Sequence, residues 1–230
     1  MLRKNRFFLY LIRHGESAVN VQPDLIGQDP ETPLTVKGEG QALKLRQHFN
    51  RTRLRFDQSY SSDYTRARET ARIVCEQNYQ PPVIVVPELR EYSAGDWRHG
   101  SRKEILTPEI KAKMASLDNT FQPPHGEALN QVERRASKWL EDTIIYNEKV
   151  IDDMEQQNGV PRLVPWDAPT FALYTHGMTI KCLLHYVMGF DKSMTWKIDI
   201  ENTSVTTLSF NLTGEVGWRI HGVNDISHLK

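Results

Sequence analysis

The chain has 230 residues, 29 Lys and Arg balanced by 29 Asp and Glu, 39% hydrophobic residues and a pI near 7.1. That length suits one large domain rather than two, and the balanced charge argues against broad capture of nucleic acid or an anionic membrane. Two cysteines, Cys75 and Cys182, are too few for a disulfide framework or a cysteine-based zinc site.

The basic opening Met1–Arg6 runs into an apolar stretch that stops at Arg13, too short for a signal core. No apolar run approaches the ~20 residues of a membrane span. A cytoplasmic protein is the expectation, in which the sequons at Asn202 and Asn211 carry no glycan.

Phe7–Ile12 reads as a short buried strand that ends in the charged, glycine-broken turn Arg13-His14-Gly15-Glu16-Ser17. Thr35–Leu54 has Leu34, Val36, Ala42, Leu43, Leu45 and Phe49 at positions that suit a helix opened by a threonine cap. Phe56–Ser61 reads as a second strand. Tyr64–Tyr79 predicts a helix with Ala67, Ala71, Val74 and Cys75 on one face. Val83–Val86, β-branched and bounded by prolines, reads as a third strand. The stretch 98–126 lacks strand signals and reads as a cap-like helical excursion. Glu109–Leu117 and Ala128 to about Ile151 are helical in pattern, the second with a core stripe of Leu129, Val132, Ala136, Leu140 and Ile144. Gln157–Pro169 holds three prolines and a glycine and reads as a surface loop. Phe171–Thr175 is a fourth strand, Met178–Met188 a helix, and Val205–Phe210 with Val216–His221 a hairpin across Thr213-Gly214-Glu215.

This βαβα order predicts a three-layer α/β/α fold: a mostly parallel sheet, an antiparallel edge strand and the helical excursion over the active site, all in a single domain over 1–230. The edge hairpin could pair two subunits into a homodimer.

Ligands bind at the carboxyl ends of strands in such folds. Arg13 and His14 lie at one strand end, and Thr175-His176-Gly177 lies at another. Ser61-Ser62 leads into a helix whose first turn carries Arg66, where the helix terminus also favours an anion. Glu91 follows the third strand. Taken singly, each has a plainer reading: His14 or His176 as a turn histidine, Arg66 paired with Asp63 or Glu69, Glu91 as an exposed acid. His99 and His125 read as surface loop residues and Glu16 as a support of its own loop. Cys182 and His185 read as core packing on one helix, and Gly38-Glu39-Gly40 is no dinucleotide loop, because no strand precedes it.

In order along the chain stand Arg13-His14-Gly15-Glu16, Asn20, Gly27, Leu34-Thr35, Ser61-Ser62, Arg66-Ala67, Thr70-Ala71, Leu89, Glu91, Gly95, Trp97, Gly126-Glu127, His176-Gly177 and Asn202-Thr203-Ser204. Over Phe7 to about Leu229 this set resembles the histidine phosphatase superfamily, the phosphoglycerate-mutase-like proteins. The resemblance implies a phosphohistidine on His14, with Arg13, Arg66 and His176 around the phosphoryl oxygens and Glu91 as proton donor. It also implies substrate contacts at Asn20, Gly27, Ser62 and Gly177, with no metal and no cofactor.

The chemistry agrees with those types. Arginine forks neutralise a dianion and stay charged, a neutral imidazole can attack phosphorus, and a protonated carboxyl can release the leaving alkoxide. Mutases of the family carry a longer basic insertion after the position of Trp97, so the short stretch 98–126 points to hydrolysis, of a small phosphorylated metabolite. Ala18-Val19, Asp63-Tyr64, Ala128 and Arg98-His99 depart from the family pattern and leave the substrate open. A phosphoglycerate-mutase-type transferase, a metallohydrolase and a non-catalytic phospho-ligand module are the alternatives.

Overall fold

The computed structural model describes residues 6–22, 24–27, 29–76, 81–147, 168–211 and 217–230. Strand β1, Arg6–Arg13, is buried along nearly its whole length. Alternation along the strand sends its side chains to two cores. Phe7, Leu9 and Leu11 join one cluster, and Phe8, Tyr10 and Ile12 join the other.

The cluster around Phe8 is covered by α1, Val36–Thr52, and α2, Thr65–Cys75. Thr35 caps α1 as expected, its Oγ1 accepting from the Gly38 N–H at 3.0 Å, and Arg53 ends it in a left-handed conformation at φ 56°. The cluster around Phe7 is covered by α5, Leu129–Leu140, and α6, Gly177–Met188. Between these layers lies a six-stranded sheet made of β1, β2 (Gln58–Ser61), β3 (Ile84–Val85), β4 (Thr170–Thr175), β5 (Val205–Asn211) and β6 (Gly217–Asp225). The strand order is β3-β2-β4-β1-β5-β6. Pairs β1–β4, β2–β4 and β2–β3 are parallel, and β5 and β6 close one edge antiparallel. The expected α/β/α layering with an antiparallel edge is what the sheet shows.

Details differ for local reasons. The third strand shrinks to Ile84–Val85 and is half exposed, pairing only with Tyr60 and Ser61. The flanking prolines lack the N–H that would extend the ladder. The long helix after Ala128 widens into a π turn at Glu141–Ile145, which keeps Ile144 and Ile145 buried. The excursion contains α3, Arg102–Ile105, and α4, Pro108–Leu117, the second started by the Thr107 cap and Pro108. The end of the predicted helix at Tyr79, the end near Ile151, residues 157–167 of the predicted loop and the hairpin turn 213–215 lie outside the described residues. No helix among the described residues is long and apolar enough to cross a membrane.

Candidate active site

The register of the central strands builds the pocket. Arg13 on β1 pairs with Thr175 on β4. The next residue of each strand is therefore a histidine at an adjacent tip, and the His14 and His176 rings stand 5.1 Å apart. On the other side of β4, β2 ends with Ser61 opposite Tyr174. That delivers Ser62 and then α2, whose first turn carries Arg66. His14, Arg66 and His176 are all essentially inaccessible, at 1%, 0% and 0% exposure.

His14 has a defined tautomer. Its Nδ1 lies 2.7 Å from the Gly15 carbonyl oxygen, which can only accept, so Nδ1 carries the proton and Nε2 keeps its lone pair. The Arg66 Nε–H donates to that Nε2 at 3.3 Å. Burial, then the charges of Arg66 and Arg13, push the His14 pKa well below the usual histidine value. Burial, then Arg66, His14 and Arg13, do the same to His176. These surroundings hold both imidazoles neutral. Gly15 is required for packing: a Cβ there would fall 2.5 Å from the Gly38 carbonyl oxygen at the start of α1.

The guanidinium groups are only partly satisfied. Arg66 Nη1 donates to the Asp29 carbonyl at 3.0 Å, and its charge lies over the Tyr64 ring at 5.0 Å. Arg13 Nη1 donates to the Ile200 carbonyl. Arg13 Nε, Arg66 Nη2 and His176 Nδ1 are buried and have no hydrogen-bond partner among the described residues. Burial pulls the Arg66 pKa down to about 10 and lowers that of Arg13, against the opposing pull of Glu91 on each.

Glu91 sits where two backbone donors hold its carboxylate. Tyr92 N–H donates to Oε1 at 2.9 Å and Met178 N–H to Oε2 at 3.2 Å. Its loop is pinned by Thr175 Oγ1 to the Leu89 carbonyl at 2.6 Å, Thr179 Oγ1 to the Arg90 carbonyl at 2.7 Å and Arg135 Nη2 to the Glu91 carbonyl at 3.3 Å.

The four residues expected as substrate contacts have the following surroundings. Ser62 Oγ bonds His176 Nε2 at 2.9 Å. Asn20 Oδ1 accepts from the Ser17 N–H and hydroxyl at 3.0 Å each and from Asn202 Nδ2 at 3.3 Å, closing the loop after His14. Gly27, at φ +73°, packs against Ala94 and Arg98. Gly177 opens α6 beside Arg13, where a Cβ would stand 3.6 Å from Nε. Glu16 bonds Thr35 at 2.9 Å and Lys37 at 2.7 Å, a support for its loop as expected. His99 pairs with Asp29 at 3.1 Å and His125 with Asp96 at 2.9 Å, both largely exposed. Among the described residues no group of three or more His, Cys, Asp or Glu side chains is set to hold a metal ion.

Sequence reasoning singled out Thr70, Asn202 and Thr203 only as motif residues without a role, and passed over Lys181. Thr70 Oγ1 accepts from the Gly15 N–H at 3.0 Å and donates to the Arg66 carbonyl at 2.7 Å, locking the two segments together. Asn202 Nδ2 donates to the His14 carbonyl at 3.0 Å. Thr203, held at φ 57°, donates its N–H to the carbonyls of Arg13 and His14 at 3.1 and 3.2 Å. Lys181, one turn into α6, has its pKa lowered by burial, with the charges of Asp199, Arg13 and Glu91 also acting on it. The i, i+4 spacing from Gly177 could have suggested Lys181. The roles of the other three required the tertiary structure.

The model of the histidine phosphatase superfamily (branch 1) matches residues 9–226. The chain is similar to a probable phosphoglycerate mutase of Cronobacter sakazakii, 28% identical over 228 residues that cover 96% of this chain and 94% of that one. It is 37% identical to an adenosylcobalamin/alpha-ribazole phosphatase of Salmonella typhimurium over 135 residues, 57% of this chain and 64% of that one. The structure of a mycobacterial glucosyl-3-phosphoglycerate phosphatase superposes with a TM-score of 0.75 over 95% of this chain and 99% of that one, at 24% identity, a likeness of fold.

Proposed function

The chain belongs to the histidine phosphatase superfamily, branch 1, and from that premise we propose that it hydrolyses a small phosphomonoester without a metal ion, through a phosphohistidine on His14. The lone pair on His14 Nε2 attacks phosphorus, and the bond to the ester oxygen breaks. Protonated Glu91 gives its proton to that oxygen, so a neutral alcohol leaves. Water then attacks the phosphohistidine, Glu91 takes its proton, the P–N bond breaks and inorganic phosphate departs. Arg13 and Arg66 neutralise the equatorial oxygens throughout.

The observation that carries this reading is the set of three buried donor sites without partners, Arg13 Nε, Arg66 Nη2 and His176 Nδ1. Leaving such groups unpaired costs roughly 1–3 kcal/mol each, more when charged. A tetrahedral anion beside His14 Nε2 would satisfy all three. When Ser62 Oγ donates to the ring Nε2, the proton of neutral His176 sits on Nδ1, which then serves as a donor. A dianion close by also favours a second proton on that ring.

A mutase-type transfer is the second reading, supported by the name of the Cronobacter relative. Hydrolysis fits better because the excursion is short and its basic residues Arg98, Arg102, Lys103, Lys111 and Lys113 are all exposed to solvent. Such a phosphatase would work in the cytoplasm on a phosphorylated metabolite. Phosphate release from an aryl phosphate in chelator tests the proposal. Wild type should turn over and His14→Ala should not. Activity that survives in His14→Ala, or is lost in chelator, would overturn it, and efficient interconversion of phosphoglycerates with little phosphate release would replace it by the mutase.

A further inference from the structure

A cleft of about 460 Å³ opens between α4, the segment Lys192–Lys197 and the Glu91 loop. Its walls are Tyr92, Met114, Phe121, Leu129 and Trp196. Small-molecule sites of mainly apolar lining run from roughly 300 to 1,000 Å³, so the size suits part of an organic ligand. Trp196 is 56% exposed although it is the largest apolar side chain of the wall. Phe121, in contrast, is backed by Trp97, with ring centroids 5.5 Å apart. The wall is thus firm on one side and open on the other.

The cleft shares its foundations with the proton donor. The two backbone N–H groups that hold the Glu91 carboxylate belong to Tyr92 and Met178. The side chains of these residues pack together with Leu129, a wall of the cleft. An acid that protonates a leaving oxygen must lie within hydrogen-bond reach of it. Tyr92 follows Glu91 directly and is itself a wall of the cleft, so the cleft is the apolar cavity next to the group that would protonate the leaving oxygen. At the rim, Lys111 and Asp118 carry opposite charges, so the rim selects neither a cation nor an anion.

We propose that this cleft holds the leaving group of the substrate, and that the preferred substrates are phosphomonoesters of apolar or aromatic alcohols. This rests on the reading of Glu91 as proton donor in the phosphatase. An aromatic ring on the leaving group would cover Tyr92, Met114 and Trp196, and the phosphoryl group would remain at His14.

The test compares propyl phosphate with 3-phenylpropyl phosphate, whose leaving alkoxides are chemically alike, so a difference between them reports binding of the ring. Wild type should favour the phenyl ester by roughly 10- to 100-fold in kcat/KM, the range that burying one ring in an apolar pocket provides. Trp196→Ala should cut that preference about fivefold or more, mostly through KM. Met114→Gln, on the opposite wall, should reduce it as well, and serves if the first variant folds poorly. Equal turnover of the two esters by wild type, or a preference untouched by both variants, would overturn the assignment of the cleft and leave the phosphatase intact. Failure of wild type on both esters and on an activated aryl phosphate would overturn the phosphatase, and this inference with it.

Discussion

Arg66 is fully buried yet charged, and replacing it with methionine separates what it costs the fold from what it contributes to the site. Burial takes its pKa down to about 10, which corresponds to roughly 3 kcal/mol against the folded state at neutral pH. Methionine keeps the apolar stem but forfeits the charge-assisted bonds to the Asp29 carbonyl and to His14 Nε2, each worth about 1.5 kcal/mol or more. The two contributions nearly cancel, so Tm should move by no more than roughly 2–4 °C for a domain of this size. Activity should fall much further. Loss of one preorganised donor to the transition-state oxyanion costs about 10²–10³ in kcat. Arg66 is also the largest electrostatic cause, after burial, of the low His14 and His176 pKa values. Its removal raises both, so the acid limb of the rate profile, where His14 must be neutral to attack, should shift to higher pH. Thermal unfolding and a pH profile of kcat/KM on an aryl phosphate measure these effects. A variant that melts several degrees lower, or retains more than a tenth of wild-type activity, would refute the account of Arg66 as a destabilising functional charge.

Two further outcomes follow from the same site. Glu91→Gln should slow alkyl phosphates by roughly 10²–10⁴-fold and aryl phosphates much less, because an aryl oxide leaves without a proton; equal losses in steady-state assays on both would remove Glu91 as the acid. Burial keeps His14 and His176 well below the usual 6.5 and takes His228 down to about 4, so all three stay neutral in the fold while the unfolded chain takes up protons. Their contribution to stability is complete above about 6.5 and is lost as pH falls towards 4, since the unfolded state then binds more protons. Denaturant midpoints across that range should fall with pH, and His228→Gln should flatten the slope. A variant slope as steep as wild type would show that His228 takes no part.

The sheet was legible because β1 is buried on both faces and reads as an unbroken apolar run, and because β4 repeats the pattern. The pairing of His14 with His176 was legible for the same reason: each follows a strand that the register places side by side. The third strand was overread, since its β-branched residues suggested more ladder than the flanking prolines allow. The supports were not legible. Thr70 looks like any helix threonine until Gly15 is laid against it, and Asn202 and Thr203 lie nearly 190 residues beyond the loop they brace. The bond of Ser62 Oγ to His176 Nε2 was not legible either, since it joins two strand tips far apart in sequence.

Those supports explain how the pocket tolerates its own cost. A β-branched residue at φ 57° is strained, and Thr203 adopts that angle while its N–H serves the two carbonyls on either side of the Arg13–His14 junction. Arg13 and Arg66 face each other's charge, buried and partly unpaired, close to two histidines held neutral. Each of these features opposes folding, and together they concentrate unmet demand for an anion at one point, the space beside His14 Nε2. On the proposed reading a phosphoryl dianion would relieve that demand as it binds, and the developing transition state would relieve it further as charge spreads over the equatorial oxygens. The packed cores around Phe7 and Phe8 supply the stability against which this is held. The same sheet that joins those cores therefore fixes the geometry on which the proposed reaction depends.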